Sequence, residues 1–120
     1  MVSFRFQDLE IWKESVPVSR ECFVLAEKLR RDNYYSLSDQ LLRASLSISN
    51  NIAEGSGSAT KKDFANYLNI ARRSTFECAN IIILLHEYGI ISQDYMDKML
   101  ILFKNLSAKI YYFRKRLITN

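Results

Sequence analysis

The residues best equipped for chemistry cluster in and around the stretch SISNNIAEG, Ser47 to Gly55. On a helix advancing about 100° per residue, Gln40, Arg43, Ser47, Asn51 and Glu54 fall into one polar stripe. Such a stripe could present an amide, a guanidinium and a carboxylate to a ligand. Glu54 with Glu77 could also form an acid–base pair, yet carboxylates beside arginines more often make structural ion pairs. The flanks favour the structural reading. Leu41, Ile48 and Ile52 line one side of the stripe and Leu42, Leu46 and Ala53 the other, so it is expected to be partly buried. Each buried polar group left without a partner there costs about 1–3 kcal/mol. Ser74 and Glu77 are available on the following helix, with Arg43–Glu77 and Glu54–Arg72 as charge-assisted pairs. The stripe therefore reads as an inter-helix network that fixes register and assembly, with a ligand pocket as the alternative.

No other group of residues supplies catalysis. His86 has no Glu three residues before it, so the Glu-x-x-His pairs of di-iron bundles are absent, and it reads as an ordinary polar position. Cys22 and Cys78 lie far apart without CxxC or Cys/His spacing, as expected of buried thiols in a reducing compartment rather than of zinc ligands. The GSG at Gly55 to Gly57 lacks a phosphate-loop pattern, and no serine, cysteine or lysine has a nucleophile-and-base setting. The expectation is a protein that is not an enzyme and needs no metal or cofactor.

The second chemically suggestive group is basic. The chain carries 17 Lys and Arg against 13 Asp and Glu, a net charge of +4, and the whole excess lies from Asp94 onward. No acid follows Asp97. Lys104, Lys109, Tyr111, Tyr112, Arg114, Lys115 and Arg116 interleave cations with aromatic rings, a composition suited to phosphates and unpaired bases. A solvated basic face with tyrosines at a protein interface has the same composition, so RNA or DNA stands beside an unidentified protein as the possible partner.

Four helices must position these groups. From about Asp8 to Arg31, Leu9, Trp12, Val16, Phe23 and Ala26 form one apolar line, with Ile11, Val18, Cys22, Leu25 and Leu29 beside it. Pro17 predicts a bend or a start later than Asp8. Ser36 or Ser38 is placed to cap a second helix with the core line Leu37, Leu41, Ala44, Ile48 and Ile52, which stops near Gly55. Thr60-Lys61-Lys62-Asp63 opens a third, with Phe64, Leu68, Ala71, Thr75, Cys78, Ile82 and Leu85 in heptad register and Gly89 as its stop. Ser92 caps a fourth, lined by Met96, Met99, Phe103, Leu106, Ile110, Phe113 and Leu117.

Short connections make neighbours antiparallel, so the pattern predicts an all-α, up-down-up-down four-helix bundle forming a single domain over residues 1–120. Ile81 to Leu85 is apolar around most of the third helix, and with Leu42, Leu46 and Ala53 it needs cover that one bundle cannot give, which implies a homo-oligomer. The N-terminus has no apolar segment of signal-peptide length and the longest aliphatic run is Ile81 to Leu85, so a cytoplasmic location with no membrane partner is expected.

Gln40, Arg43-Ala44, Ser47-Ile48, Asn51-Ile52-Ala53-Glu54-Gly55, then Phe64, Leu68, Ala71-Arg72, Ser74 and Phe76-Glu77 resemble the signature of the four-helix bundle proteins encoded in 23S ribosomal RNA intervening sequences. Phe6, Asp8-Leu9, Trp12 and Gly89-Ile90-Ile91 fit as well, so the resemblance spans nearly the whole chain. It implies a small bacterial cytoplasmic protein and a left-handed bundle assembled into a closed ring, with a homopentamer as the implied state. The fold is also similar to pentameric accessory proteins of diversity-generating retroelements, which bind nucleic acid through basic surfaces. Arg73, where a glycine is frequent, and Pro17 depart from the pattern.

Overall fold

A computed structural model describes residues 1–119 as a short 3₁₀ turn, Arg5–Asp8, followed by four helices. These are α1 (Glu10–Arg31), α2 (Tyr35–Ser56), α3 (Lys61–Glu87) and α4 (Gln93–Ile118), with no strand among the described residues. The helices contact one another in the cycle α1–α2–α3–α4, and α1 and α4 share the narrowest of the four contacts. Paired residues fix the directions. Glu14 meets Lys109 while Glu21 meets Lys98, Gly55 abuts Phe64 while Ser47 bonds Ser74, and Phe64 packs on Phe113 while Thr75 and Phe103 share a cleft. On the remaining contact Ser38 reaches Ala26 while Ser49 neighbours Ser19. In every pair the numbers rise on one helix as they fall on the other, so neighbours are antiparallel.

The termini follow local chemistry closely at two of the three connections between helices. Thr60 Oγ1 accepts the Asp63 amide at 3.1 Å and Ser92 Oγ accepts the Tyr95 amide at 3.2 Å, satisfying two of the otherwise orphaned N–H groups of α3 and α4. Gly89 adopts φ +76°, which lets Ile90 N–H reach back to the Leu85 carbonyl at 2.9 Å and close α3. α1 begins at Glu10 and continues helical through Pro17, the later-start alternative. The start of α2 corrects the expectation. Tyr34 stands at the cap without a side-chain bond, and Ser38 is buried inside the first turns, donating to the Ala26 carbonyl at 2.7 Å. A hydroxyl that fits a cap in sequence serves here to tie α2 to α1.

The core is built from the lines read on α2, α3 and α4. Every heptad residue of α3 is buried, as are Leu41, Ala44, Ile48 and Ile52 of α2 and Met99, Phe103, Leu106 and Ile110 of α4. On α1 the second of the two lines is the enclosed one, joined by Ala26 from the first. Ile11, Val18, Cys22, Leu25 and Leu29 are fully enclosed, whereas Leu9, Trp12 and Val16 lie at the margin and Phe23 is 52% exposed. A wide apolar arc can be centred on either line, and the neighbouring helices choose. Cys22 and Cys78 meet across the centre of the bundle. A hydrogen bond with Cys22, then burial, pushes the Cys78 thiol far above its ordinary range, which keeps it protonated and unreactive.

Candidate nucleic-acid interface

The polar stripe divides into two halves. Ser47 and Ser74 hydroxyls bond across the α2–α3 seam at 2.8 Å, and the Asn51 amide nitrogen donates to Ser47 Oγ at 3.0 Å and to its carbonyl at 2.7 Å. Below them Gly55 is buried: a Cβ there would sit 2.7 Å from Tyr67 Cβ and 2.8 Å from Phe64 Cδ1, so the helices approach too closely for any side chain. α2 itself runs one residue further, to Ser56, with Gly57 as its cap. Gly55 therefore acts as a packing residue as well as a marker of the helix end.

The charged half of the stripe is not part of that seam. Arg43 and Glu54 face solvent, as do Gln40 on the same stripe and Glu77 on α3, and neither Arg43–Glu77 nor Glu54–Arg72 forms. The reason is angular. Arg43 and Glu54 lie on the outer side of α2, about 50° beyond Ser47 and Asn51 on average, and at that margin water solvates charge more cheaply than burial does. His86 is half-buried and Arg73 exposed. Among the described residues no group of three or more His, Cys, Asp and Glu is arranged to hold a metal ion.

The basic residues of α4 occupy three positions around the helix. Lys104 and Lys115 are exposed and make no ion pair among the described residues, Tyr111 and Tyr112 stand beside them edge to face at 5.2 Å, and this side faces outward. Lys109 turns toward α1, where it pairs with Glu14. Arg114 turns toward α3, donating its Nε to the Ala65 carbonyl at 3.0 Å, so it clamps the two helices together. Arg116 is exposed at the last turn. The predicted cationic cluster is thus narrower than its sequence, because α4 uses Lys109 and Arg114 to hold its neighbours.

A neighbouring feature of α3 joins this surface. Arg72 places its guanidinium carbon 5.1 Å from the Phe76 ring centre and 5.2 Å from that of Tyr111, bridging α3 to α4. In sequence Arg72 is a candidate ion-pair partner for Glu54; the structure turns it the other way. The signal that finds it is the Arg72–Phe76 spacing of four residues, which stacks the two side chains on one helix face.

A family model described as "23S rRNA-intervening sequence protein" matches residues 7–112. The chain belongs to that family. Its fold is similar to a crystal structure from Bacteroides thetaiotaomicron described as a protein of unknown function from the S23 ribosomal protein family, with a TM-score of 0.83 and 23% identity. That similarity covers 88% of this chain and 95% of the other, and it concerns the fold. No curated protein matches. The match of this intervening-sequence family member takes in the whole α2–α3 seam, including Ser47, Asn51, Gly55 and Ser74, and Arg72 with it. It ends at Tyr112, so Arg114, Lys115 and Arg116 lie beyond it. Among the described residues no helix is long and apolar enough to cross a membrane.

Proposed function

We propose that this intervening-sequence family member is a non-catalytic, homo-oligomeric bundle, a pentamer by family resemblance, that binds RNA or DNA, free or in a nucleoprotein, through the outer face of α4. The observation that carries the reading is the position of the charge. The whole net excess of +4 falls on the last helix, where Lys104 and Lys115 face solvent among exposed tyrosines, with no ion pair among the described residues. Unpaired cations gain affinity for phosphate by releasing counterions, so binding should weaken steeply with salt.

Support for assembly comes from apolar groups that one copy leaves uncovered. Leu46 on α2 is 44% exposed and Ile83 on α3 is 40% exposed, with Phe23, Val24 and Tyr88 also open. Where such exposed apolar side chains gather into patches, those patches mark contacts with other chains. They equally favour a second reading, an adaptor ring that recruits a protein and has no nucleic-acid role.

The test pairs light-scattering mass with fluorescence anisotropy of a labelled RNA oligomer. The wild type should be larger than one chain and bind with a strong salt dependence. Charge reversal at Lys104→Glu with Lys115→Glu should keep that mass and weaken binding by about a hundredfold, four charge units against the phosphates. A single-chain mass removes the assembly. Unchanged affinity in the double variant, or affinity indifferent to salt, removes the nucleic-acid role and leaves the adaptor.

A further inference from the structure

Between α3 and α4 an open cleft of about 310 Å³ is lined almost wholly by carbon, with Phe76 on one wall and Lys104 on the other. At its end sits the Arg72 guanidinium, held over Phe76 and Tyr111. Arg72 Nε is sealed from solvent and has no hydrogen-bond partner, and Arg72 makes no ion pair. An arginine resting on aromatic rings has little freedom still to lose on binding, and with Nε sealed its terminal Nη–H groups are the donors left for a ligand. No side chain among the described residues uses them. The residue as a whole keeps partial exposure, and Phe76 is 58% exposed, so this ring carries a cation yet remains open to a second stacking partner.

We propose that this cleft binds single-stranded nucleic acid, with the Arg72 guanidinium holding a phosphodiester and Phe76 stacking on a base. The inference rests on the nucleic-acid reading above and extends it from the outer face of α4 to a groove reaching α3. Charge complementarity selects the occupant. Arg72, Lys104 and, one turn past Tyr111, Lys115 form a cationic border, and no acid of α4 follows Asp97 to oppose them. The nearest acid on α3, Glu77, is turned about 100° from Phe76 toward α2. A carbon-lined floor under a cationic border suits a polyanion that also has flat apolar faces. Duplex nucleic acid hides those faces within its own stack, whereas unpaired bases offer them.

The experiment measures anisotropy of a labelled, unstructured oligouridylate and of an RNA duplex of equal length, with light-scattering mass for every variant. The wild type should prefer the single strand. Arg72→Lys, which keeps the charge but loses the planar stack, and Phe76→Ala, which removes the ring, should each weaken single-strand binding about tenfold at unchanged mass, one stacking or fork contact apiece. The duplex should respond far less to Phe76→Ala. Wild-type binding that is salt-sensitive but identical in both variants overturns the cleft while leaving the α4 surface intact. Equal affinity for duplex and single strand also overturns it. A variant that loses mass together with binding makes the cleft a contact between copies of this chain, which overturns it too. No binding by the wild type removes the α4 reading and this one with it.

Discussion

The α2–α3 seam and the α3–α4 cleft share a helix, are similarly rich in polar and aromatic side chains, and are finished differently. In the seam the hydroxyls of Ser47 and Ser74 satisfy each other, Asn51 bonds back onto Ser47, and Gly55 lets the backbones close until no Cβ would fit. In the cleft Phe76 is open, Lys104 makes no ion pair among the described residues, and Arg72 rests on rings while the residue as a whole stays part-exposed. Burying polar groups is tolerable only when they are satisfied, so a completed network belongs to the fold itself. An uncompleted one, kept partly exposed, has hydrogen-bonding capacity left over for something outside the chain. The contrast assigns stability to the first region and recognition to the second.

The sharpest way to break that assignment is to truncate one large side chain in each. Ile48 is 1% exposed at the heart of α2, and Ile48→Ala should cost about 2–5 kcal/mol, from lost burial plus the cavity left behind. Phe76→Ala removes a larger side chain, yet should change stability by no more than about 0.5 kcal/mol because the ring already faces water. Urea unfolding of the two variants decides it. A cost for Phe76→Ala as large as that for Ile48→Ala would make the cleft part of the folding core and end the contrast.

The two glycines around the end of α2 test the same idea at a finer scale. Gly55→Ala forces a methyl against Tyr67 Cβ and the Phe64 ring, where Tyr67 Cβ is fixed to the α3 backbone and cannot swing away. Such overpacking should cost about 1–3 kcal/mol, with the helices pushed apart. At Gly57 the added methyl would meet only the Glu54 carbonyl oxygen at 3.5 Å, an ordinary contact, so Gly57→Ala should be close to neutral. Thermal melts of both variants read the difference directly. Equal melting temperatures would mean that the seam is looser than its geometry.

Much of the fold is readable in the sequence because helical periodicity is a property of single helices. The line on α3 and the central residues of the lines on α2 and α4 are buried as their spacing predicts, with Leu37, Met96, Phe113 and Leu117 at the margin, and the caps at Thr60 and Ser92 and the stop at Gly89 need only neighbours within four residues. What periodicity does not carry is the rotation of each helix against the next. That rotation decides which of two apolar lines on α1 faces inward, leaving Phe23 outside, and whether Ser38 caps a helix or ties α2 to Ala26. The candidate site suffers from the same gap. Arg43 and Glu54 share a stripe with Ser47 and Asn51 in sequence, but a turn of roughly 50° separates a seam from solvent. Likewise Lys109 and Arg114 look like free cations until Glu14 and the Ala65 carbonyl are placed opposite them. Arg72 illustrates the converse, since its ring partner Tyr111 lies 39 positions further along the chain.

The smallest expected effect concerns the hydroxyl pair itself. Ser47 and Ser74 each have a second route to satisfaction: the Asn51 amide reaches Ser47 Oγ, and Ser74 Oγ reaches the Ile70 carbonyl at 3.1 Å. Removing either hydroxyl alone therefore strands little, and the bond between them should contribute about 0.5–1.5 kcal/mol, the net value of an intramolecular hydrogen bond. A double-mutant cycle with Ser47→Ala, Ser74→Ala and the pair isolates that coupling, because the alanines keep the close approach of the helices. Each single variant should lose the coupling, and the double variant should lose no more than one of them plus the local terms. A coupling near zero would mean that Gly55 and the apolar lines alone hold α2 against α3. The hydroxyls and Asn51 would then be left, like Arg72, as polar groups whose use lies outside the isolated fold.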